Sequence, residues 1–165
     1  MLKFYETEEA GKRAEVAVAN VLQRYTRHVY KNIRVETLFT KSGTTEVDIL
    51  AAIADVILVL EIKNIASIEG SSKDLFWYLT GMEGKERYSS LNILTQNRLH
   101  TRAIKNAWRD EFREMPAVVS AVVIPEDCHI SEEIIDSGIL TLHEFELQVA
   151  ELAQASINIK YGYKL

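Results

Sequence analysis

Residues 43–64 read GTTEVDILAAIADVILVLEIKN, and this stretch decides the fold. Two segments rich in β-branched and aliphatic residues, 47–53 and 56–62, flank Ala54 and Asp55. That pattern predicts two antiparallel strands joined by a tight turn. The charged residues of the stretch are concentrated at the open end of this predicted hairpin.

The register of the hairpin follows from the position of its turn. A loop of two or four residues centred on the turn places Asp48 opposite Glu61 and Glu46 opposite Lys63. Because side chains alternate along a strand, these four charged residues then share one face of the sheet. A loop of odd length would shift the register by one residue and remove the pairing.

Two directly opposed carboxylates have two interpretations. Opposed Cβ atoms lie roughly 4.5–5.5 Å apart, so Asp48 and Glu61 repel each other unless a cation lies between them. The pair is therefore either energetically costly or a metal site. The plainer alternative is an ion pair between Glu46 and Lys63 at the sheet end, with both other carboxylates facing solvent.

Composition limits the class of protein. With 165 residues, of which 47% are hydrophobic and 26% charged, the chain is expected to fold as a single domain spanning residues 1–165. The lone Cys128 cannot form an internal disulfide, and no apolar N-terminal stretch resembles a signal peptide or membrane span. We therefore expect a cytoplasmic protein that does not associate with membranes.

The net charge of −5 bears on partners. It argues against binding of nucleic acid through bulk electrostatics, although a local basic patch or bound divalent cations would still serve a polyanion. It favours a homo-oligomer or a protein partner as the source of a basic surface, or an unusual substrate.

Two predicted helices bring polar residues toward the hairpin. The first runs from Glu8 to about Tyr25 with Thr7 as its N-cap, and it carries Glu15 at the border of its apolar face. The second spans about 91–112, where Gln96 and His100 fall inside the apolar sector. The plainer alternatives are an ion pair at the rim for the glutamate and satisfied core side chains for the other two.

The remaining elements complete an α/β layer structure. The pattern predicts strands at 28–35, 118–124 and 139–141, a smaller hairpin within 75–88, and a last helix at 143–155 that packs through Leu147, Val149, Ala150 and Leu152. Residues 65–72 read as a short polar connection, and 157–165 as an edge strand or a frayed end. Because both faces of the organising hairpin are apolar, we expect a mixed central β-sheet with an antiparallel hairpin core flanked by helices.

Several groups of residues together match a known family pattern. They are Gly11 with Glu15, GTTEVD at 43–48, VLEIKN at 59–64, Gly70 with Trp77, and Asn92 with Gln96 and His100. In this combination the chain resembles the PD-(D/E)XK nuclease superfamily and, more narrowly, its NERD group, the nuclease-related domain. The resemblance covers about residues 8–124 and implies a restriction-endonuclease-like fold.

The resemblance also implies a metal site. The family hydrolyses phosphodiester bonds of nucleic acid, DNA or RNA, with Mg²⁺ or Mn²⁺ as the cofactor. Asp48, Glu61 and the carbonyl of Ile62 would bind the metal, and Glu15 would reach it directly or through water.

Catalytic roles are implied for the same residues and for two others. Lys63 would orient the attacking water or stabilise the phosphate, and Gln96 would contact the lysine, the water or the phosphate. Val47 replaces the proline of the superfamily name and Ile93 replaces a family proline, but neither change removes a ligand. The alternatives are a catalytically inactive nuclease-like binding or assembly module and an unrelated acidic interaction domain.

Overall fold

The computed structural model describes the backbone of residues 2–83, 85–111, 116–134 and 138–160, and the side chains of 12–83, 85–109, 116–134 and 138–155. Its elements, in chain order, are α1 (Leu2–Gln23), β1 (Val29–Glu36), β2 (Thr44–Ile53), β3 (Val56–Ile62), β4 (Ile65–Glu69), β5 (Phe76–Gly81), β6 (Arg87–Leu91), α2 (Ile93–Glu111), β7 (Ala117–Ile124), β8 (His129–Ile130), a 3₁₀ turn (Glu132–Ile134), β9 (Ile139–Thr141) and α3 (Leu142–Lys160). None of these described helices is long and apolar enough to cross a membrane.

The described strands form two mixed sheets. The larger has the order β1-β2-β3-β7-β9, in which β1, β2 and β3 are antiparallel and β7 and β9 run parallel to β3. The smaller has the order β6-β5-β4-β8. The predicted mixed α/β fold around an antiparallel hairpin is confirmed, and it is consistent with a restriction-endonuclease-like fold.

The hairpin register is as predicted over its regular part, but the predicted pairs Asp48 with Glu61 and Glu46 with Lys63 are not among the observed pairs. Its pairs run from Ile53 opposite Val56 to Ile49 opposite Leu60. The two turn residues, Ala54 and Asp55, have φ angles of 53° and 63°. Positive φ at both central positions identifies the type I′ turn, whose twist matches that of the flanking strands.

Both faces of the large sheet are covered, as the apolar pattern predicted. On one face α1 and α3 pack against a cluster that includes Ile49 and Leu60, and on the other α2 packs against Ile57 and Val59. The predicted packing role of Leu147 is wrong, because this side chain is 54% exposed and Phe145 is buried instead. The charged end of the hairpin therefore lies between helices that approach from both sides.

Several local predictions need correction. Thr7 is not an N-cap, because α1 begins at Leu2 and continues through it. Residues 65–69 form the strand β4, which pairs with β5 and β8 and buries Ile65 and Ile68. The helix α3 continues to Lys160, so residues 157–160 are not a strand. Residues 161–165, at the end of the predicted tail, and residue 112, at the end of the second predicted helix, lie outside the described residues.

Two residues of the family pattern hold the second sheet and α2 in place. Gly70 (φ 153°) allows the buried ring of Trp77 to lie against the main chain, since a Cβ there would be 2.5 Å from Cδ1 of that ring. Asn92 caps α2, because its Oδ1 accepts hydrogen bonds from the N–H groups of Leu94 (2.9 Å) and Thr95 (3.3 Å). The orientation of α2 matters for the site, since this helix contacts the hairpin end.

Candidate active site

The open end of the β2–β3 hairpin is held by a side chain. The last regular pair is Ile49 with Leu60, and beyond it Asp48 Oδ2 accepts a hydrogen bond of 2.9 Å from the N–H of Ile62. In a continued ladder that N–H would donate to the main chain of Val47. Asp48 therefore replaces a main-chain acceptor and is held beside β3.

The strand β2 departs from regular alternation at the same point. Val47 packs in the cluster on the α2 side of the sheet, whereas Ile49 packs in the cluster on the α1 and α3 side. On the neighbouring strand, Asn32 has a φ of 53° and is skipped in the pairing with β2. This irregularity occurs at Asp48, which explains why its carboxylate meets the main chain of β3 instead of completing a pair with Glu61.

Glu61 is the buried centre of the site. It is 5% exposed, and its two oxygens face two different groups. Oε1 lies 3.3 Å from the Nζ of Lys63, and Oε2 lies 3.5 Å from Nδ1 of His100. Neither Oε2 nor His100 Nδ1 has a hydrogen-bond partner among the described residues. One acceptor of the carboxylate therefore remains available.

The electrostatics disfavour the carboxylate charges. Burial, reinforced by the charge of Asp48, raises the pKa of Glu61 from 4.5 to about 7 against the opposing effect of Lys63. Burial also raises the pKa of Asp48, although the N–H of Ile62 opposes this. Burial lowers the pKa of His100, so we interpret its contact with Glu61 as that of a neutral imidazole and not as an ion pair.

Glu15 lies at the rim of the same site. It is half-buried on α1, as its position on the helical wheel predicted. Burial raises its pKa, and the charges of Asp48 and Glu46 raise it further. Glu46 itself forms an ion pair with Arg34 of β1 at 3.7 Å, so the suggested pairing of Glu46 with Lys63 is wrong.

The helix α2 contributes His100 and Asn97, for which the sequence predicted no catalytic or metal-binding role. His100 contacts Glu61, whereas Gln96 is half-buried and its side chain makes no hydrogen bond with the described residues. Asn97 is buried and donates through Nδ2 to the carbonyls of Ala121 (3.1 Å) and Val59 (3.4 Å). Asn97 lies in the centre of the apolar sector of the helical wheel, a signal that could have identified it.

Comparison with protein families identifies the chain. The sequence model of the family NERD, nuclease-related domain, matches residues 10–125. The chain belongs to this family.

The NERD match includes every residue of the site that the sequence predicted. It extends from within α1 to the residue after β7, and so contains Glu15, Asp48, Glu61, Lys63 and Gln96. Comparisons with curated proteins and with solved structures found no match.

The site of this NERD domain offers a partial set of metal ligands. The carboxylates of Asp48 and Glu61 and the carbonyl of Ile62 are hard oxygen donors, and Oε2 of Glu61 accepts no hydrogen bond from any described residue. Among the described residues, no three His, Cys, Asp or Glu side chains converge closely enough to hold a metal ion. Mg²⁺ is commonly bound through one or two carboxylates and keeps several waters, so a site of this kind does not require a third protein carboxylate.

Proposed function

We propose that this NERD domain is a metal-dependent nuclease that hydrolyses phosphodiester bonds of DNA or RNA. The observation that carries the proposal is the grouping of Asp48, Glu61 and Lys63 at the hairpin end, where burial raises the pKa of both carboxylates. Perturbed pKa values cluster at functional sites, so this grouping supports a catalytic role for the three residues. Membership of the nuclease-related family supports the same reaction class.

The proposed cofactor is Mg²⁺ or Mn²⁺. Asp48, Glu61 and the carbonyl of Ile62 would bind it, and Glu15 would contribute at the rim through water. When bound, the cation would neutralise phosphate charge and lower the pKa of a water molecule. It would also offset the cost of holding two ionised carboxylates close together in a buried site.

Lys63 is the proposed catalytic cation. Its Nζ is held 3.3 Å from Glu61, and its side chain is 26% exposed, so it can reach a substrate while staying oriented. An ammonium group donates to a non-bridging phosphate oxygen or to the attacking water, which stabilises charge that develops in the transition state. Gln96 keeps its proposed role as a further contact to water or phosphate.

Two residues of α2 are proposed to position the catalytic groups. His100 lies against Oε2 of Glu61 and limits the orientations of that carboxylate. Asn97 bridges the main chains of β3 and β7 through Val59 and Ala121, close to where β3 delivers Glu61. Both therefore support the geometry of the site without touching substrate.

Cleavage of labelled DNA and RNA with Mg²⁺ or Mn²⁺ tests the proposal. Asp48→Asn and Lys63→Met should each lower the rate by a factor on the order of 10² or more, since each removes a charged group from the reacting centre. Glu46→Gln is the matched control, because this exposed carboxylate pairs with Arg34, and it should leave the rate within about twofold. Undiminished cleavage by the Lys63→Met protein would refute the mechanism.

A second candidate is a nuclease-like module that binds or assembles without cutting. Two observations favour it: no three metal-ligating side chains converge in the described part of the chain, and Lys63 already pairs with Glu61. Thermal unfolding with Mn²⁺ discriminates between the candidates. A metal-binding site raises the midpoint, and Asp48→Asn should reduce that rise. Retained nucleic-acid binding without any metal effect would favour the module.

A further inference from the structure

The outer face of α2 carries a row of cations. Arg98, Arg102, Lys105 and Arg109 follow one another at spacings of four, three and four residues, which places them on one side of the helix. We call these four residues the α2 basic face. They span about 16 Å along the helix axis at a rise of roughly 1.5 Å per residue. The inward-facing His100 lies on the opposite side of the same helix.

The α2 basic face is not neutralised by its own helix. Residues 93–109 contain no Asp or Glu, so no member of the row has an acidic neighbour at the i±3 or i±4 positions within that range. In the part of the chain that the structure describes, none of the four forms an ion pair. Like charges at i and i+4 destabilise a helix by a few tenths of a kcal/mol per pair.

A solvated helix face is the plainer explanation for such a row, but two facts oppose it. Solvated faces commonly mix both signs of charge, whereas this row is entirely positive in a protein with a net charge of −5. The side chains of the row, with Thr101 and Asn106, also line a shallow cleft of about 500 Å³ that is open to solvent. The face therefore places several cations around a space that a ligand can enter.

The loop that joins β1 to β2 lies against this face. The guanidinium of Arg102 lies 5.2 Å from the ring centroid of Phe39, a cation–π contact. A hydrogen bond from the N–H of Thr37 to the carbonyl of Gly43 closes the loop, and Thr40 Oγ1 donates to the carbonyl of Thr44. The loop thus contacts Arg102, whose side chain remains exposed to solvent.

We propose that the α2 basic face binds the phosphate backbone of nucleic acid. Three of its four cations are arginines, whose planar groups donate paired hydrogen bonds to phosphate. A regular row of about 16 Å fits a polymer that presents one phosphate roughly every 3.4 Å per strand better than it fits a single anion. The inference rests on the proposed nuclease function, because the α2 basic face would be a surface that holds the nuclease substrate. It lies on the same helix whose inner side contacts Glu61 through His100.

Binding without cleavage tests this proposal. Fluorescence anisotropy would follow labelled duplexes and single strands, of DNA and of RNA, in EDTA and over a range of NaCl concentrations. The variant is Arg102→Gln with Lys105→Gln. The matched control is Arg27→Gln with Lys73→Gln, which removes the same charge from exposed positions in two loops outside α2. All of these side chains lie at least partly in solvent, and unchanged thermal midpoints would verify that each variant folds.

The expected result is a change in salt dependence. Loss of two phosphate contacts should reduce the slope of log K against log salt by about 1.8 on a duplex and about 1.4 on a single strand. If the variant and the wild type bind a duplex equally well at about 1 M salt, this change in slope makes the variant bind roughly 60-fold more weakly than the wild type at about 0.1 M. The control pair should change the slope by less than about 0.5.

Four outcomes would overturn the proposal: no binding of any nucleic acid by the wild-type protein, binding that Arg102→Gln with Lys105→Gln leaves unchanged, an equal loss in the control pair, or binding of polyglutamate in place of nucleic acid. Measuring binding in EDTA separates this proposal from the nuclease reaction, since the proposed cleavage requires the metal ion and the proposed contact with α2 does not. Binding through α2 without cleavage in Mn²⁺ would refute the nuclease and leave the α2 proposal standing. Cleavage and binding that are both unaffected by Arg102→Gln with Lys105→Gln would do the reverse.

Discussion

Replacing Glu61 with glutamine should stabilise the metal-free protein. Burial raises the pKa of this carboxyl from 4.5 to about 7, a shift of roughly 2.5 units. Each unit corresponds to about 1.4 kcal/mol, so the ionised side chain destabilises the native state by about 3 kcal/mol at pH 8. Glutamine has nearly the same shape and no charge, and it removes this penalty. In a domain of this size the gain corresponds to about 6 to 12 °C in Tm.

The sign of the pH dependence follows from the direction of the shift. Between about pH 4.5 and pH 7 the native state of the wild type binds more protons at Glu61 than the unfolded state does. The free energy of unfolding of the wild type should therefore fall as the pH rises through this range. The advantage of Glu61→Gln should be near zero below about pH 4.5 and reach its full value above about pH 7.

Urea unfolding in EDTA, followed by circular dichroism from about pH 5 to pH 8, measures this difference. Glu46→Gln is the control, since its exposed carboxylate should change the free energy of unfolding by less than about 0.5 kcal/mol at any pH. With Mn²⁺ the order should reverse, because the wild type gains binding energy that Glu61→Gln loses. A Glu61→Gln protein that is no more stable than the wild type at pH 8 would show that Lys63 and His100 fully compensate the buried charge.

Three further variants test the framework around the site, each by thermal or urea unfolding. Ala54→Asn with Asp55→Gly supplies the residues that a type I′ turn prefers at positive φ, and should stabilise the protein by about 1 kcal/mol. Gly70→Ala places a Cβ against the buried ring of Trp77 and should destabilise the protein by about 2 kcal/mol or more. Asn92→Ala removes the cap of α2 and should cost about 1–2 kcal/mol, whereas Asn106→Ala on the exposed face of that helix should cost less than about 0.5 kcal/mol.

Each of these expectations has a contradicting result. A destabilised turn variant would show that Asp55 stabilises the hairpin in a way that its backbone angles do not reveal. Unchanged stability of Gly70→Ala would mean that the second sheet moves without cost. Equal losses for Asn92→Ala and Asn106→Ala would show that the capping hydrogen bonds contribute no more to stability than an exposed side chain does.

The hairpin was predictable from the sequence because its determinants are local. The turn position and the strand lengths lie within residues 43–64, and together they define the register without reference to the rest of the chain. Glu15 was found for a similar reason, since helical periodicity alone places it at the edge of an apolar face.

Other features depend on neighbours that are distant along the chain. The strand β4 has a mixed pattern, IASIE, and becomes a strand through its pairing with β5 and β8. The partner of Glu46 is Arg34, which is set by the adjacent strand β1 and not by the hairpin. Leu147 is apolar yet exposed, because the face of α3 that meets the sheet is chosen by the packing of Phe145 and Val149.

By itself, the sequence determined that Asp48, Glu61 and Lys63 lie at the end of the hairpin, because their positions are counted from the turn. The same counting paired Glu46 with Lys63, which is wrong because Glu46 pairs with Arg34. Only the tertiary structure decided what those charges experience. The raised pKa of Glu61 and its contact with His100 arise because helices from distant parts of the chain exclude water from the hairpin end. Desolvation depends on everything that surrounds a group, and no local pattern in the sequence contains that information.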